Sequence, residues 1–232
     1  MRRLPLVSAV SAVAAILLAL PATAREAAPT APAGSGALAV GSGGAVASMD
    51  AGASQAGIDV LKHGGNAVDA AVATASALGV TIPFVAGPGG GGFMVIYLAR
   101  THQVVTIDGR ENCPAACTST MFVDPTTGQP LGYDDASDQP LATGVPSMVA
   151  TWATAVDHYG RQSLGADLQP AIAVAEHGFR VNPDFVQLTQ SDLPELQAYP
   201  ASKKLRRRGC RTPTATPTWA TRGSSTCRFP GC

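Results

Sequence analysis

The 232 residues carry 16 Lys/Arg and 16 Asp/Glu, a formal net charge of zero. With 46% hydrophobic and 14% charged residues, the chain has the apolar content for a packed core and lacks the basic excess of a nucleic-acid binder. Aromatics make up only 5% against 25 glycines, which favours closely packed helices of small residues over an aromatic-rich β-sandwich.

The zero balance hides an asymmetry. Residues 1–200 hold 8 Lys/Arg and all 16 Asp/Glu, a sum of −8. Residues 201–232 hold 8 Lys/Arg, no acid, and three of the five cysteines, Cys210, Cys227 and Cys232.

Residues 1–24 have the layout of a signal peptide: Arg2 and Arg3, the apolar run "LVSAVSAVAAILLAL", then Ala22-Thr23-Ala24 before Arg25. The apolar run of about 15 residues is shorter than a bilayer-spanning helix needs. Export to the periplasm, cell surface or medium is expected, with a retained signal anchor as the alternative. Residues 25–44 are rich in Ala, Pro, Gly and Ser and read as a flexible linker.

The body begins with a helix over 51–63, striped by Ala53, Ala56, Ile58, Val60 and Leu61, with Gly64 as its C′ residue. Asn66 is placed to cap a second helix, and Asp69 favours that helix's dipole. Val68, Val72, Ala75 and Gly79 define one apolar face. Pro83 ends the run. "GPGGGGF", residues 87–93, follows. Then "FMVIYLA" and "VVTID", separated by "RTHQ", predict a β-hairpin whose second strand is broken at Gly109. "MFVDPTTGQPLGYDD" is turn-rich, with Thr126, Thr127 and Gly128 as an exposed turn. Two helices follow, one with Pro146 in its first turn and Gly160 at its end, the other with Pro170 near its start and Gly178 at its stop. "NPDFVQLTQSDLPELQAYP" holds a further short helical pattern. The order of elements predicts an α/β fold of the layered α+β kind.

Gly87, Gly89 and Gly92 match the G-x-G-x-x-G spacing, but a dinucleotide site needs a helix to begin there, and a strand is expected instead. A P-loop needs Gly-Lys-Ser/Thr, and Phe93 stands after the glycines. The glycines therefore read as serving positive φ angles and close backbone approach. No metal constellation appears: His63, His102, His158 and His177 are scattered at helix ends or turns, and neither metal nor cofactor is expected. Cys113 and Cys117 are spaced for either a disulfide or two free thiols. Arg110, in "TIDGRENCPAA", follows a strand, where binding residues are common. Its planar fork suits a carboxylate, and a local salt bridge with Asp108, Glu111 or another acid is the competing reading.

The runs "LKHGGNAVDAAVA", "GPGGGGFMVIY", "TIDGRENCPAA", "LATGVPSMVA" and "LQPAIAVAEHGFRV", in this order over about residues 44–204, resemble the γ-glutamyltransferase (γ-glutamyltranspeptidase, glutathione hydrolase) family. The resemblance implies part of an αββα N-terminal-nucleophile hydrolase fold, namely a helix-rich large-subunit portion over 45–204. It implies a self-cleaving precursor whose small subunit begins with a nucleophilic threonine. It also implies that Arg110 grips the substrate α-carboxylate. The substrate class would be glutathione and related γ-glutamyl compounds. Pro88 and Ser147 stand where the family has an aliphatic residue and a glycine, both away from the chemistry.

From residue 205 to 232 the resemblance stops, and no catalytic residue is assigned. The stretch reads as a frameshifted or mis-assigned end, with a natural basic tail for an anionic surface as the alternative. The expectation is a large-subunit fragment lacking its nucleophile and inactive alone. Two other readings compete: an exported, non-enzymatic fragment that binds a glutamate-like carboxylate through Arg110, and a related acylase.

Overall fold

The computed structural model describes residues 39–202, together with the backbone of the short strand Thr226–Cys227. The expected signal peptide, most of the expected linker and the rest of the basic tail lie outside the described residues. The chain divides after Gly43, and every element below belongs to the unit that starts at Gly44.

Helix α1 spans Ala51–Lys62 and α2 spans Ala67–Thr81. Asp50 caps α1 by accepting from the Ala53 N–H at 2.9 Å. The corner between the helices is a Schellman motif: the Gly65 N–H reaches the Val60 carbonyl at 3.0 Å, the Gly64 N–H reaches Leu61 at 3.3 Å, and Gly64 has φ +91°. Asn66 and Asp69 then form a capping box on α2.

The single apolar face predicted for α2 is too narrow. Val68, Asp69, Ala70, Val72, Ala73, Thr74, Ser76 and Ala77 are all buried, so most of the circumference is covered. Helix α1 packs along one side and α5 (Leu164–His177) along another. Small side chains permit this. A Cβ on Gly57 of α1 would lie 3.0 Å from the Ala70 carbonyl, so the two helices cross at close range.

The hairpin forms as β1 (Gly92–Leu98) and β2 (Gln103–Gly109), antiparallel, with Phe93 opposite Asp108 and Tyr97 opposite Val104. Gly109 closes the ladder opposite Gly92 rather than breaking the strand. Met94, Ile96, Leu98, Val105 and Ile107 face inward against Val68 of α2 and against Ala155 and Tyr159 of α4 (Met148–Tyr159). Phe93, Val95, Tyr97 and Val104 face outward and are 60–70% exposed.

Residues 110–147 are irregular, with the short helix α3 (Tyr133–Ser137) and a 3-10 turn at Pro140–Ala142. Cys113 and Cys117 form a disulfide with Cα atoms 6.0 Å apart, which resolves the alternatives left open by their spacing. The Asp124 carboxylate accepts from the Thr126 and Thr127 N–H groups, and Gly128 has φ +67°, the exposed turn expected there.

Two helix starts differ from expectation. Pro146 precedes the first turn of α4, because Ser147 is the N-cap and Met148 the first helical residue. Pro170 lies inside α5, because Ser163 caps that helix through the Ala166 N–H. A proline there removes the donor that would reach the Ala166 carbonyl, a cost borne inside a packed helix. After α5, Gly178 (φ +84°) turns the chain into β3 (Phe179–Arg180), which pairs with β4 (Thr226–Cys227). Helices α6 (Pro183–Ser191) and α7 (Leu193–Ala198) complete the unit. Phe185 of α6 meets Phe84 and Phe179 edge-on, at 5.4 and 5.5 Å, and packs on Ile82.

Among the described residues no helix is long and apolar enough to cross a membrane.

Candidate functional site

The site is built where β2 ends against the glycine loop and the start of α4. Gly109 is buried, and a side chain on it would strike Thr151 of α4 and the Gly92 carbonyl. The strand end therefore lies flat under the helix, and Arg110 emerges directly from that anchor.

The glycine loop forms the floor. Its turn is closed by the Gly90 N–H on the Gly87 carbonyl at 3.3 Å. The Gly90 carbonyl accepts from the N–H groups of Ser147 and Met148, at 3.2 and 3.0 Å. Backbone from the loop thus caps α4 by taking up the N–H groups of its N-cap and first residue. Ser147, read from sequence as remote from the chemistry, donates its hydroxyl to the Gly109 carbonyl, next to Arg110.

Close approach is what the glycines supply. A Cβ on Gly91 would lie 2.8 Å from Glu111 Cδ and would also meet the Gly109 carbonyl. A Cβ on Gly144 would lie 2.9 Å from Glu111 Cβ. Glu111 is seated between these two glycines. The other half of the expectation fails: none of the glycines from 87 to 92 has a positive φ.

Arg110 is held at both levels. Its N–H donates to Asp108 Oδ1 at 3.0 Å, and its Nε pairs with Glu111 Oε2 at 3.3 Å. The Arg110 side chain is 73% exposed and that of Glu111 31% exposed. The local salt bridge considered from sequence is therefore present, on an arginine that still faces solvent. Downstream, the Val145 N–H reaches the Asn112 carbonyl at 2.8 Å and fixes the segment against the chain before α4. Sequence reading named Glu111 only as a possible salt-bridge partner and missed its seat on Gly91 and Gly144. The glycine run that contains Gly91 was the available signal for one side of that seat, and the lone Gly144 gave none.

A second cluster of polar groups is structural. Asp69 is fully buried, and its carboxylate accepts from the N–H groups of Asn66 (2.7 Å), Arg161 (3.0 Å) and Gln162 (3.2 Å). Asp167 of α5 is also fully buried, and its Oδ2 has no partner. Burial, then the neighbouring Asp69 charge and a hydrogen bond to Asp69, push the Asp167 carboxyl up to about 6. The two carboxyls lock α2, α5 and the turn between α4 and α5 together. They lie off the Arg110 loop. A surface cleft of about 690 Å³ lined by Asp157, His158, Arg161 and Gln162 also excludes Arg110 from its lining. Among the described residues no cluster of His, Cys, Asp or Glu is arranged to hold a metal ion.

The buried helical pair, the hairpin ending under a helix and the exposed Arg110 beside the glycine-seated Glu111 superimpose on solved structures as part of the αββα N-terminal-nucleophile hydrolase fold. A model of the gamma-glutamyltranspeptidase family matches residues 53–222, and the chain belongs to that family. The chain is 47% identical over 139 residues to a glutathione hydrolase proenzyme of Escherichia coli, covering 60% of this chain and 23% of that protein. It is 42% identical over 143 residues to the glutathione hydrolase proenzyme of Bacillus subtilis, covering 62% of this chain and 24% of that protein. The crystal structure of Helicobacter pylori gamma-glutamyltranspeptidase superimposes with a TM-score of 0.68 at 36% identity, over 72% of this chain and 47% of that one. The chain thus spans about a quarter of the length of the curated relatives it matches.

Proposed function

We propose that this chain supplies the α-carboxylate-binding portion of a γ-glutamyltransferase or glutathione hydrolase, with Arg110 as the carboxylate ligand. The observation that carries this reading is an arginine 73% exposed at the end of a strand, with its backbone anchored and its Nε paired to Glu111. An ion pair made through Nε orients the fork and leaves the Nη1–Nη2 edge for a second carboxylate, the bidentate geometry at which arginine excels. Membership of a family whose relatives are named glutathione hydrolases supplies the substrate class, glutathione and related γ-glutamyl amides.

In this reading the nucleophile, a threonine freed by self-cleavage of a precursor, comes from another polypeptide segment. It attacks the γ-glutamyl amide and passes the acyl group to water or an amine. The outward face of the hairpin, with Phe93, Val95, Tyr97 and Val104 exposed, supports a missing layer that packs there. The protein would act after export, with residues 1–24 removed. N-terminal sequencing of the exported protein should then begin at Arg25, and an intact Met1 would argue for a retained anchor.

Calorimetry with L-glutamate on the full chain tests the binding role. Binding should be lost in Arg110→Ala and partly kept in Arg110→Lys, which retains the charge without the fork. Identical binding by wild type and Arg110→Ala would sink the assignment. The chain by itself should not turn over a γ-glutamyl anilide, and measurable turnover would overturn the claim that the nucleophile lies elsewhere.

A further inference from the structure

We propose that the Cys113–Cys117 disulfide is a redox-sensitive clasp that holds the Arg110–Glu111 segment on its glycine seat. Its consequence for ligand binding rests on the assignment of Arg110 as the carboxylate ligand.

The placement carries the argument. Upstream of Cys113 the chain is fixed: Gly109 lies under α4, Glu111 sits between Gly91 and Gly144, and Asn112 is tied to Val145. Downstream, the hydrogen bonds stay within the segment: one-turn contacts from the Cys117 N–H to Pro114, Met121 to Thr118 and Val123 to Thr120, then a small loop closed by the Leu131 N–H on the Phe122 carbonyl. Such turns impose no position relative to the rest of the fold. The disulfide joins residues only four apart, so the chain must reverse immediately after the Asn112–Val145 bridge. That closed corner keeps the irregular stretch from pulling the bridge, and Glu111 with it, off the glycines. Because Glu111 holds the Arg110 guanidinium at 3.3 Å, a shift of Glu111 moves the binding fork. The cysteines are positioning residues and act only through this segment.

The clasp is also reachable. Cys113, Ala115 and Ala116 are exposed and Cys117 is half-buried. A dithiol can therefore open it. The Sγ–Sγ bond breaks, each sulfur takes one electron and one proton, and the dithiol closes to its own disulfide, so two electrons and two protons are transferred.

Hydrogen–deuterium exchange on the full chain, oxidised and dithiol-treated, is the direct test. A Cys113→Ser/Cys117→Ser double variant is measured beside it, because the chain also carries Cys210, Cys227 and Cys232 and the variant confines the change to this pair. Opening the clasp should speed exchange over residues 110–113 and 143–147 by about tenfold or more, and leave α2 unchanged. The apparent glutamate affinity should fall about tenfold, the scale of loss for a loosened binding residue. On a Glu111→Ala background, which no longer holds the guanidinium, opening the clasp should cause no further loss of the remaining affinity, a non-additivity that general destabilisation would not produce. Unchanged exchange in both the reduced protein and the double variant would overturn the clasp. So would faster exchange with glutamate affinity retained. If the oxidised chain binds no glutamate while exchange still responds, the clasp stands and the carboxylate assignment of Arg110 falls.

Discussion

Asp167 shows how a single buried group sets a pH dependence. Its carboxyl is fully buried against Asp69 and titrates near 6, against 3.8 in the unfolded chain. The folded protein therefore keeps a proton that the unfolded chain has released. Stability from this group is fully present below about pH 4 and is lost as pH rises through about 6. The shift corresponds to about 3 kcal/mol. Asp167→Asn removes the titration and keeps the shape. In urea titrations, the stability difference between wild type and Asp167→Asn should therefore shift in favour of the variant as pH rises from 4 to 7. A pH-independent difference would refute the shared proton. Periodicity could not reveal this pair. Asp69 was legible as a first-turn acid, but its contact with a residue on another helix is a product of tertiary packing.

The capped corner between α1 and α2 was legible in advance, because its signals are local. Gly64 and Gly65 supply the Schellman turn, and Asn66 with Asp69 supplies the capping box. Asn66 does more than cap: its Nδ2 also donates to the Tyr159 carbonyl at 2.6 Å, at the end of α4. Asn66→Ala should therefore cost about 2 kcal/mol, the upper end of the range for loss of a cap. Asn66→Asp, which can cap but cannot donate, should recover part of that loss. Thermal unfolding of the three proteins checks this, and equal stability of the Ala and Asp variants would refute a role for capping. Helix α5 is the converse case. Proline at position 170 suggested a start, but the competent cap is Ser163 seven residues earlier, and packing against α2 holds the helix across the missing donor.

The unit as a whole has one side finished and one side open. The inner face of the hairpin is closed by α2 and α4, while the outer face presents Phe93, Val95, Tyr97 and Val104. An exposed apolar sheet face on a chain this size should bind a hydrophobic dye and promote self-association. Val95→Thr with Val104→Thr should lower dye binding at least twofold while leaving the melting temperature within about 2 °C, because neither side chain is in the core. Unchanged dye fluorescence would show that the exposed face is not the site of binding.

Local backbone chemistry was settled by the residues themselves: the capped corner between α1 and α2, where the hairpin turns, and that a strand rather than a helix follows the glycines. Those outcomes depend on neighbours within a few positions, so a sequence window contains their causes. The Arg110 loop was found in the sequence as a motif, but its geometry was not. Glu111 on Gly91 and Gly144, Ser147 on Gly109, and Asp167 against Asp69 join residues 20 to 98 positions apart. Only the folded chain, by bringing small residues within backbone distance of one another, decides which of those contacts exist.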